Sequence, residues 1–416
     1  MSRLTVAELN KRVAQLEAQM NRGASKKGAS VCTDIDQAPN AYFLRRPSGV
    51  IDLDMHLGGG LPAGGLSYLS GPDGSGKTTL LYKFMAMNQK LWGPRSALAL
   101  AVSEAAPDHF YMRKCGMQIA IPEPMIEERV AARKNSGLPS FTKDELKAFR
   151  APTMGRVMLL RGCTGEELLG ALLECFDEGI FDILCLDSVS AVLPEADASK
   201  DLDENQKRAA AAGLLTKFFQ HYLNGTTGYS ALNKTTVIFT SQVRSNSKKA
   251  EAPAHIQKYL PDYAPQGAWA AKHGKLIDIL VKPGEKEKEK TTVEVSTLGA
   301  AVEQRKKMVQ IGKSIRYEIL KGKAGIHEGI TGEFPFNYDT ITDDQRMIVL
   351  SALRLGIAEE RNGLVTFYDL RQRIPVHGLE KLPLDKIVEM LRTDFELEHT
   401  IRLMLLASVG VECTYR

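Results

Sequence analysis

The chain has 416 residues, 54 Lys and Arg against 50 Asp and Glu, and a formal net charge of +4. That length suits one large core plus a smaller domain, and 44% hydrophobic with 25% charged residues is the balance of an ordinary globular protein. A charge so close to neutral excludes a chain whose entire surface attracts polyanions, while leaving room for a local basic groove.

The 6 cysteines include no CxxC pair, which argues against a zinc site or a disulfide framework and for buried free thiols in a reducing compartment. No apolar run reaches the roughly 18 residues of a membrane span, and the polar start MSRLTVAELNKR does not read as a signal peptide. The expectation is a soluble cytoplasmic protein with no membrane partner.

In chain order, Val6, Leu9, Val13, Leu16 and Met20 recur at alternating spacings of three and four, predicting a helix with one apolar seam. Such a seam needs a partner surface, either its own domain or a neighbouring copy. Residues 21–40, NRGASKKGASVCTDIDQAPN, are rich in Gly, Ser and charge and read as a linker. Between Pro47 and Lys282, short apolar runs alternate with helical stretches: LSYLS, SALALAV from Ser96, FDILCLD from Phe181, TTVIFTSQ from Thr235 and LIDILV from Leu276. Runs buried on both faces and separated by helices predict an α/β core with a mostly parallel twisted sheet. The charge run KPGEKEKEK, Lys282 to Lys290, predicts a solvated hairpin tip or loop. From Asp343 the pattern turns chiefly helical with one extended patch, LVTFYDL. The expected organisation is an N-terminal oligomerisation helix and linker (1–40), a large α/β core (41–342) and a small C-terminal α/β domain (343–416).

The chemistry concentrates in GPDGSGKTTL. Gly71, Pro72, Asp73, Gly74, Ser75, Gly76, Lys77, Thr78 and Thr79 form a Walker A loop between the run LSYLS and a helical stretch. Glycines let backbone N–H groups curl round phosphates, Lys77 reaches the β and γ oxygens, and Thr78 offers its hydroxyl to Mg²⁺. Asp187 ends FDILCLD, where an acid can hold Mg²⁺ through water. Glu104 follows the strand from Ala97 and is placed to orient and deprotonate an attacking water. Gln242 ends VIFTSQ and is a polar group positioned to sense the γ-phosphate.

The order of these motifs resembles the RecA-like strand-exchange recombinases of bacteria and phages. The resemblance runs through RRPSGVIDLDMHLGGGLPAGGLSYLSGPDGSGKTTL, SEAAPDHFYMRKCG, DSVSAVLP, FTSQVR and RYEILKGKAG and covers most of the chain. It implies a RecA-type P-loop core and ATP with Mg²⁺ as cofactors. Glu104 then corresponds to the catalytic glutamate, Asp108 and Tyr111 stand at the adenine, and Gln242 couples ATP to a second DNA-binding loop. Lys321 and Lys323 match a pair that reaches into a neighbouring subunit's ATP site. The implied partners are single-stranded DNA, homologous duplex DNA, further copies in a helical polymer, and mediator and single-strand-binding proteins.

DNA contact is expected from two segments, 194–205 and 245–275. The second carries Lys248, Lys249, Lys258, Lys272 and Lys275 interleaved with Tyr259, Tyr263 and Trp269, a combination suited to phosphates and stacked bases. Arg244, Arg208 and Lys217 are further candidates. The chain departs from the family pattern in several places. The second loop lacks the usual glycine pair, the segments 121–152 and 282–310 have no clear counterpart, and the acidic tail of many bacterial members is missing from VGVECTYR. These departures suggest a divergent, phage-type member working in a bacterial or phage-infected cytoplasm. Two rivals remain open at this point: a ring-forming helicase or motor of the same fold, and an ATP-regulated scaffold without strand exchange.

Overall fold

The computed structural model describes residues 6–21, 44–104, 106–195, 208–228, 235–245, 253, 263–265, 274–295, 303–370 and 374–411. The N-terminal seam forms helix α1 (Val6–Asn21), with Val13 and Leu16 exposed. Short pieces follow: β1 (Arg45–Arg46), α2 (Ile51–His56) and β2 (Leu61–Pro62). The run before the glycine-rich loop is β3 (Leu66–Gly71), and the loop leads into α3 (Lys77–Trp92). That helix contains neither Gly nor Pro and stops at Gly93, whose φ of 54° suits a residue without Cβ.

Next come β4 (Ala97–Val102), α4 (His109–Lys114), α5 (Glu123–Asn135), α6 (Lys143–Arg150), β5 (Arg156–Leu160), α7 (Gly165–Glu178) and β6 (Ile183–Asp187). Then follow α8 (Arg208–Gly228), β7 (Thr236–Ser245), β8 (Tyr263–Pro265), β9 (Lys275–Val295), β10 (Glu303–Lys321) and β11 (Thr331–Asn337).

The central sheet has the order β11-β10-β9-β3-β7-β6-β4-β5, with β8 pairing the far end of β7. From β9 to β5 every pairing is parallel, while β10 runs antiparallel to both β9 and β11. Both faces of the parallel part are buried except at the edge strand β5, where Met158 and Leu159 are exposed. Along the strands, Leu69, Leu100, Cys185 and Ile238 enter one apolar cluster, and their neighbours Tyr68, Ala101, Leu184 and Phe239 enter the other. The period of two is therefore present, yet both phases are apolar, because α3 covers one face and α7 and α8 cover the opposite one.

The remaining elements are α9 (Asp344–Arg354), β12 (Ala358–Arg361), β13 (Leu364–Phe367), β14 (Leu382–Pro383), α10 (Leu384–Thr393) and α11 (Phe395–Ser408). The strand β13 falls within LVTFYDL. This C-terminal segment shares its core with the rest: Ile348, Leu391 and Leu405 belong to the same cluster as Leu53 and Leu57. Buried polar ties reinforce the junction. Arg402 donates to Glu398 at 3.0 Å and to the Gly49 carbonyl at 2.8 Å. Asp54 accepts from Ser48 N at 2.6 Å, Ser48 Oγ at 2.7 Å and Gly49 N at 3.0 Å.

Several expectations change. The charge run 282–290 is neither a loop nor a hairpin tip but the middle of β9, laddered to β10 through Lys286↔Lys313, Glu287↔Gly312 and Lys288↔Gln310. Backbone pairing holds it extended, and Glu285 to Glu289 stay exposed. The thiols are not uniformly buried: Cys115 and Cys185 are, but Cys163 is exposed before α7. Segment 121–152 folds into α5 and α6, which close a small satellite core of Phe110, Ile121 and Ile126.

Candidate nucleotide site

The phosphate loop stands at the carboxyl end of β3, held between β7 and β9. Its glycines have steric reasons. A Cβ on Gly71 would lie 2.2 Å from the Val281 carbonyl oxygen, and one on Gly76 would lie 2.6 Å from Ile315 Cδ1. Gly74 and Gly76 also adopt φ of 65° and 103°. Strand β10 thus presses directly on the loop. The first N–H groups of α3, from Lys77 onward, lack intrahelical acceptors and carry the positive end of the helix dipole.

Lys77 Nζ folds back to the carbonyls of Gly71 at 2.9 Å and Pro72 at 2.8 Å. Burial pushes its ammonium below the ordinary lysine value, against the opposing pull of Asp73, Asp187 and Glu104. Ser75 Oγ is buried with no hydrogen-bond partner. A loop with no room for a Cβ at Gly71 or Gly76, a desolvated ammonium resting on carbonyls and an orphaned hydroxyl together fit a polyphosphate.

Thr78 Oγ1 donates to Asp187 Oδ2 at 2.9 Å, and Thr240 bonds the other carboxylate oxygen. Burial pushes the Asp187 carboxyl above its ordinary value, while the bonds from Thr240 and Thr78 pull it down. Among the described residues no group of three or more His, Cys, Asp and Glu side chains could hold a metal ion. A hydroxyl and one carboxylate beside a phosphate loop fit Mg²⁺, which keeps several waters and takes phosphate oxygens as ligands. Thr78 and Asp187 are the residues that would hold it.

Glu104 and Gln242 meet at this sheet edge. Glu104 Oε1 accepts from Ser188 Oγ at 2.5 Å and from Gln242 Nε2 at 3.5 Å. The Gln242 backbone N–H donates to Ser190 Oγ at 2.9 Å, and Ser103 Oγ donates to the Ser188 carbonyl at 2.5 Å. The carboxylate is exposed, open to a water on its free side. Sequence reasoning missed Thr240, Ser188 and Ser190 as supports. Thr240 was findable, because it stands two residues before Gln242 and so shares its strand face.

On the other side of the loop, Tyr111 OH shares a 2.5 Å hydrogen bond with Thr79 Oγ1 and packs edge-on against Tyr82 at 6.2 Å. Burial raises its phenol to about 12. Asp108 serves as the N-cap of α4, accepting from Phe110 N at 2.8 Å and Tyr111 N at 3.2 Å. The cap fixes the start of the helix that presents Tyr111.

Lys321 and Lys323 are not brought to this chain's own phosphate loop. Lys313, on the same strand, touches the loop through the Gly74 carbonyl. From there to Lys321 the strand runs roughly 25 Å, at about 3.3 Å per residue. Burial, Lys323 and Lys275 all push the Lys321 ammonium below its ordinary value.

Of the DNA candidates, Lys217 is exposed on α8. Arg208 begins that helix, and the Arg244 backbone pairs with Ala264. Lys248, Lys249, Lys258, Trp269 and Lys272 lie outside the described residues, as do Tyr259 and most of 194–205. Lys275 is a correction. It is buried at the start of β9, ion-paired with Asp278, with its ammonium 5.2 Å from the centre of the Tyr68 ring. Its charge is spent inside the sheet.

No family model matches the chain. Curated relatives do. The RecA protein of Solidesulfovibrio magneticus is 28% identical over 220 residues, 53% of this chain and 50% of that protein. The chloroplastic DNA repair protein recA homolog 1 of Arabidopsis thaliana is 29% identical over 229 residues, 55% of this chain and 42% of that protein. The RecA protein of Syntrophus aciditrophicus is 30% identical over 200 residues, 48% and 46% of the two chains. The chain spans about half the length of the curated relatives it matches. With the parallel sheet, the phosphate loop and its acid partner at one sheet edge, this chain is similar over the matched half to RecA proteins.

Proposed function

We propose that the chain is an ATP-dependent DNA recombinase. It polymerises on single-stranded DNA, pairs that strand with homologous duplex, and hydrolyses ATP with Mg²⁺ to release the product. The names of the relatives, RecA and a DNA repair protein, support the family-level reading.

The observation that carries the reading is the junction of Glu104 with Gln242. A carboxylate able to activate water bonds the side chain that ends β7's apolar run, and the chain beyond β7 enters the basic, aromatic segment 246–275. Presence of the γ-phosphate and position of that segment are then coupled through one strand. Lys77 and the loop amides grip the phosphates, Thr78 and Asp187 hold the metal, and Glu104 takes the proton of the attacking water. Tyr111, on the helix capped by Asp108, supplies a ring to the adenine.

Lys321 and Lys323 complete the site of a neighbouring copy, in the manner of an arginine finger supplied in trans. On α1, the exposed Val13 and Leu16 offer a second contact between copies. Base pairing supplies sequence discrimination. Arg208, Lys217, Arg244, Lys248, Lys249, Lys258, Lys272 and Trp269 hold phosphates and bases. Mediator and single-strand-binding proteins would be partners in a bacterial or phage-infected cytoplasm. Among the described residues no helix is long and apolar enough to cross a membrane.

Electron microscopy with ATP and single-stranded DNA, followed by a joint-molecule assay with homologous duplex, tests the reading. Helical filaments and joint molecules are expected. Closed rings, or assemblies indifferent to DNA, would replace it with a motor or a scaffold.

A further inference from the structure

Lys313 was not singled out by any motif, yet it touches the phosphate loop. It lies on β10, its Nζ donating to the Gly74 carbonyl and standing 5.8 Å from the centre of the Phe336 ring. Two residues along, Ile315 is fully buried against Gly76. The strand therefore fixes the lysine at the rim of the loop rather than letting it sweep freely through solvent.

Its charge is uncompensated. Among the described residues no carboxylate pairs with Lys313, and directly across the ladder stands another cation, Lys286. Burial also pushes the Lys313 ammonium below its ordinary value. A partly desolvated ammonium resting on a neutral carbonyl, with no carboxylate beside it, is placed to receive an anion, and the loop it rests on is built to hold one.

We propose that Lys313 is a nucleotide-binding residue acting in cis. Its ammonium leaves the Gly74 carbonyl to contact the phosphate chain of the bound nucleoside triphosphate, on the side of the loop away from Asp187. This rests on the nucleotide site proposed above, but not on recombination or on assembly. It makes the cation set two-sided: Lys77 and Lys313 from one chain, Lys321 and Lys323 from the next. The swap is chemically sensible, because a charge-assisted bond to phosphate replaces a bond to a neutral carbonyl.

Equilibrium binding of ATP without DNA tests it, using the full chain as wild type, Lys313→Met and Lys313→Arg. Met keeps an unbranched apolar stem and removes the charge. Lys313→Met should bind ATP about tenfold more weakly at low salt. Its deficit should shrink toward about 1 M salt, where the screening length is about 3 Å. Lys313→Arg should stay within about threefold of wild type, since it keeps the cation and its reach. Thermal melting of the nucleotide-free variants reads any loss of the strap to Gly74 separately. Wild-type affinity in Lys313→Met, or a loss equal in Lys313→Arg and independent of salt, overturns the proposal while leaving the nucleotide site standing. Failure of the wild type itself to bind ATP removes both.

Discussion

Thr78 Oγ1 sits 2.9 Å from Asp187 Oδ2, joining the first turn of α3 to the end of β6. Two segments distant in sequence thus meet where a divalent cation would bridge them to a phosphate. Asp187→Asn keeps the size and removes the charge. Steady-state phosphate release should fall about 100-fold, with a higher Mg²⁺ requirement, because the metal loses its acidic anchor. A Mg²⁺ titration identical to wild type would assign Asp187 to structure alone.

Lys77→Ala should abolish productive ATP use. Lys77 is the loop's only side-chain cation, and its ammonium already rests within 2.9 Å of the Gly71 carbonyl. Turnover at the wild-type rate contradicts the assignment.

Glu104→Gln should separate binding from hydrolysis. The loop contacts persist, so ATP affinity should change little, while turnover drops about 100-fold or more with loss of the base. Assemblies on DNA should last correspondingly longer. Equal hydrolysis in variant and wild type would make Glu104 a surface acid bonded to Ser188.

Asp54 yields a pH dependence. Burial raises its carboxyl from 3.8 to about 6, against the lowering pull of Arg402 and of Ser48 and Gly49. A folded value above the unfolded one means that the folded state binds the extra proton. Its contribution is therefore full below about pH 4 and is lost as pH rises through about 6, some 3 kcal/mol in all. Asp54→Asn, which cannot titrate, should lack that slope. Urea denaturation of both proteins between pH 4 and 7 checks it: the wild type should lose stability relative to the variant as pH rises, whatever their offset. Parallel pH profiles would rule out the linkage.

The strands around the loop were legible because LSYLS, FDILCLD and VIFTSQ are apolar in both phases, as burial on two faces requires. Thr78, Asp187, Glu104 and Gln242 were legible because each sits at or beside the end of such a run. The charge run 282–290 was not. Its extended form comes from a backbone ladder to β10, and no apolar alternation announces it. Lys275 was read with the basic segment before it, although the first turn of the ladder draws it under Tyr68 and onto Asp278. Lys313 was invisible for a different reason. Its place at Gly74 depends on β10 crossing beside β9 from a point 239 residues further along the chain.

The central claim is an ATP site shared between copies, and two inactive variants test it most directly. Lys321→Ala/Lys323→Ala keeps the phosphate loop, while Lys77→Ala keeps Lys321, at the end of β10, and Lys323 just beyond it. Each alone should show almost no DNA-dependent phosphate release, and the lysine double variant should still bind ATP as an isolated chain. Mixed on single-stranded DNA at several ratios, they should recover part of the wild-type rate, with a maximum at intermediate ratios, because only hybrid interfaces pair an intact loop with intact lysines. Wild-type activity in the unmixed lysine variant, or no recovery at any ratio in assemblies shown to contain both chains, would contradict the shared site.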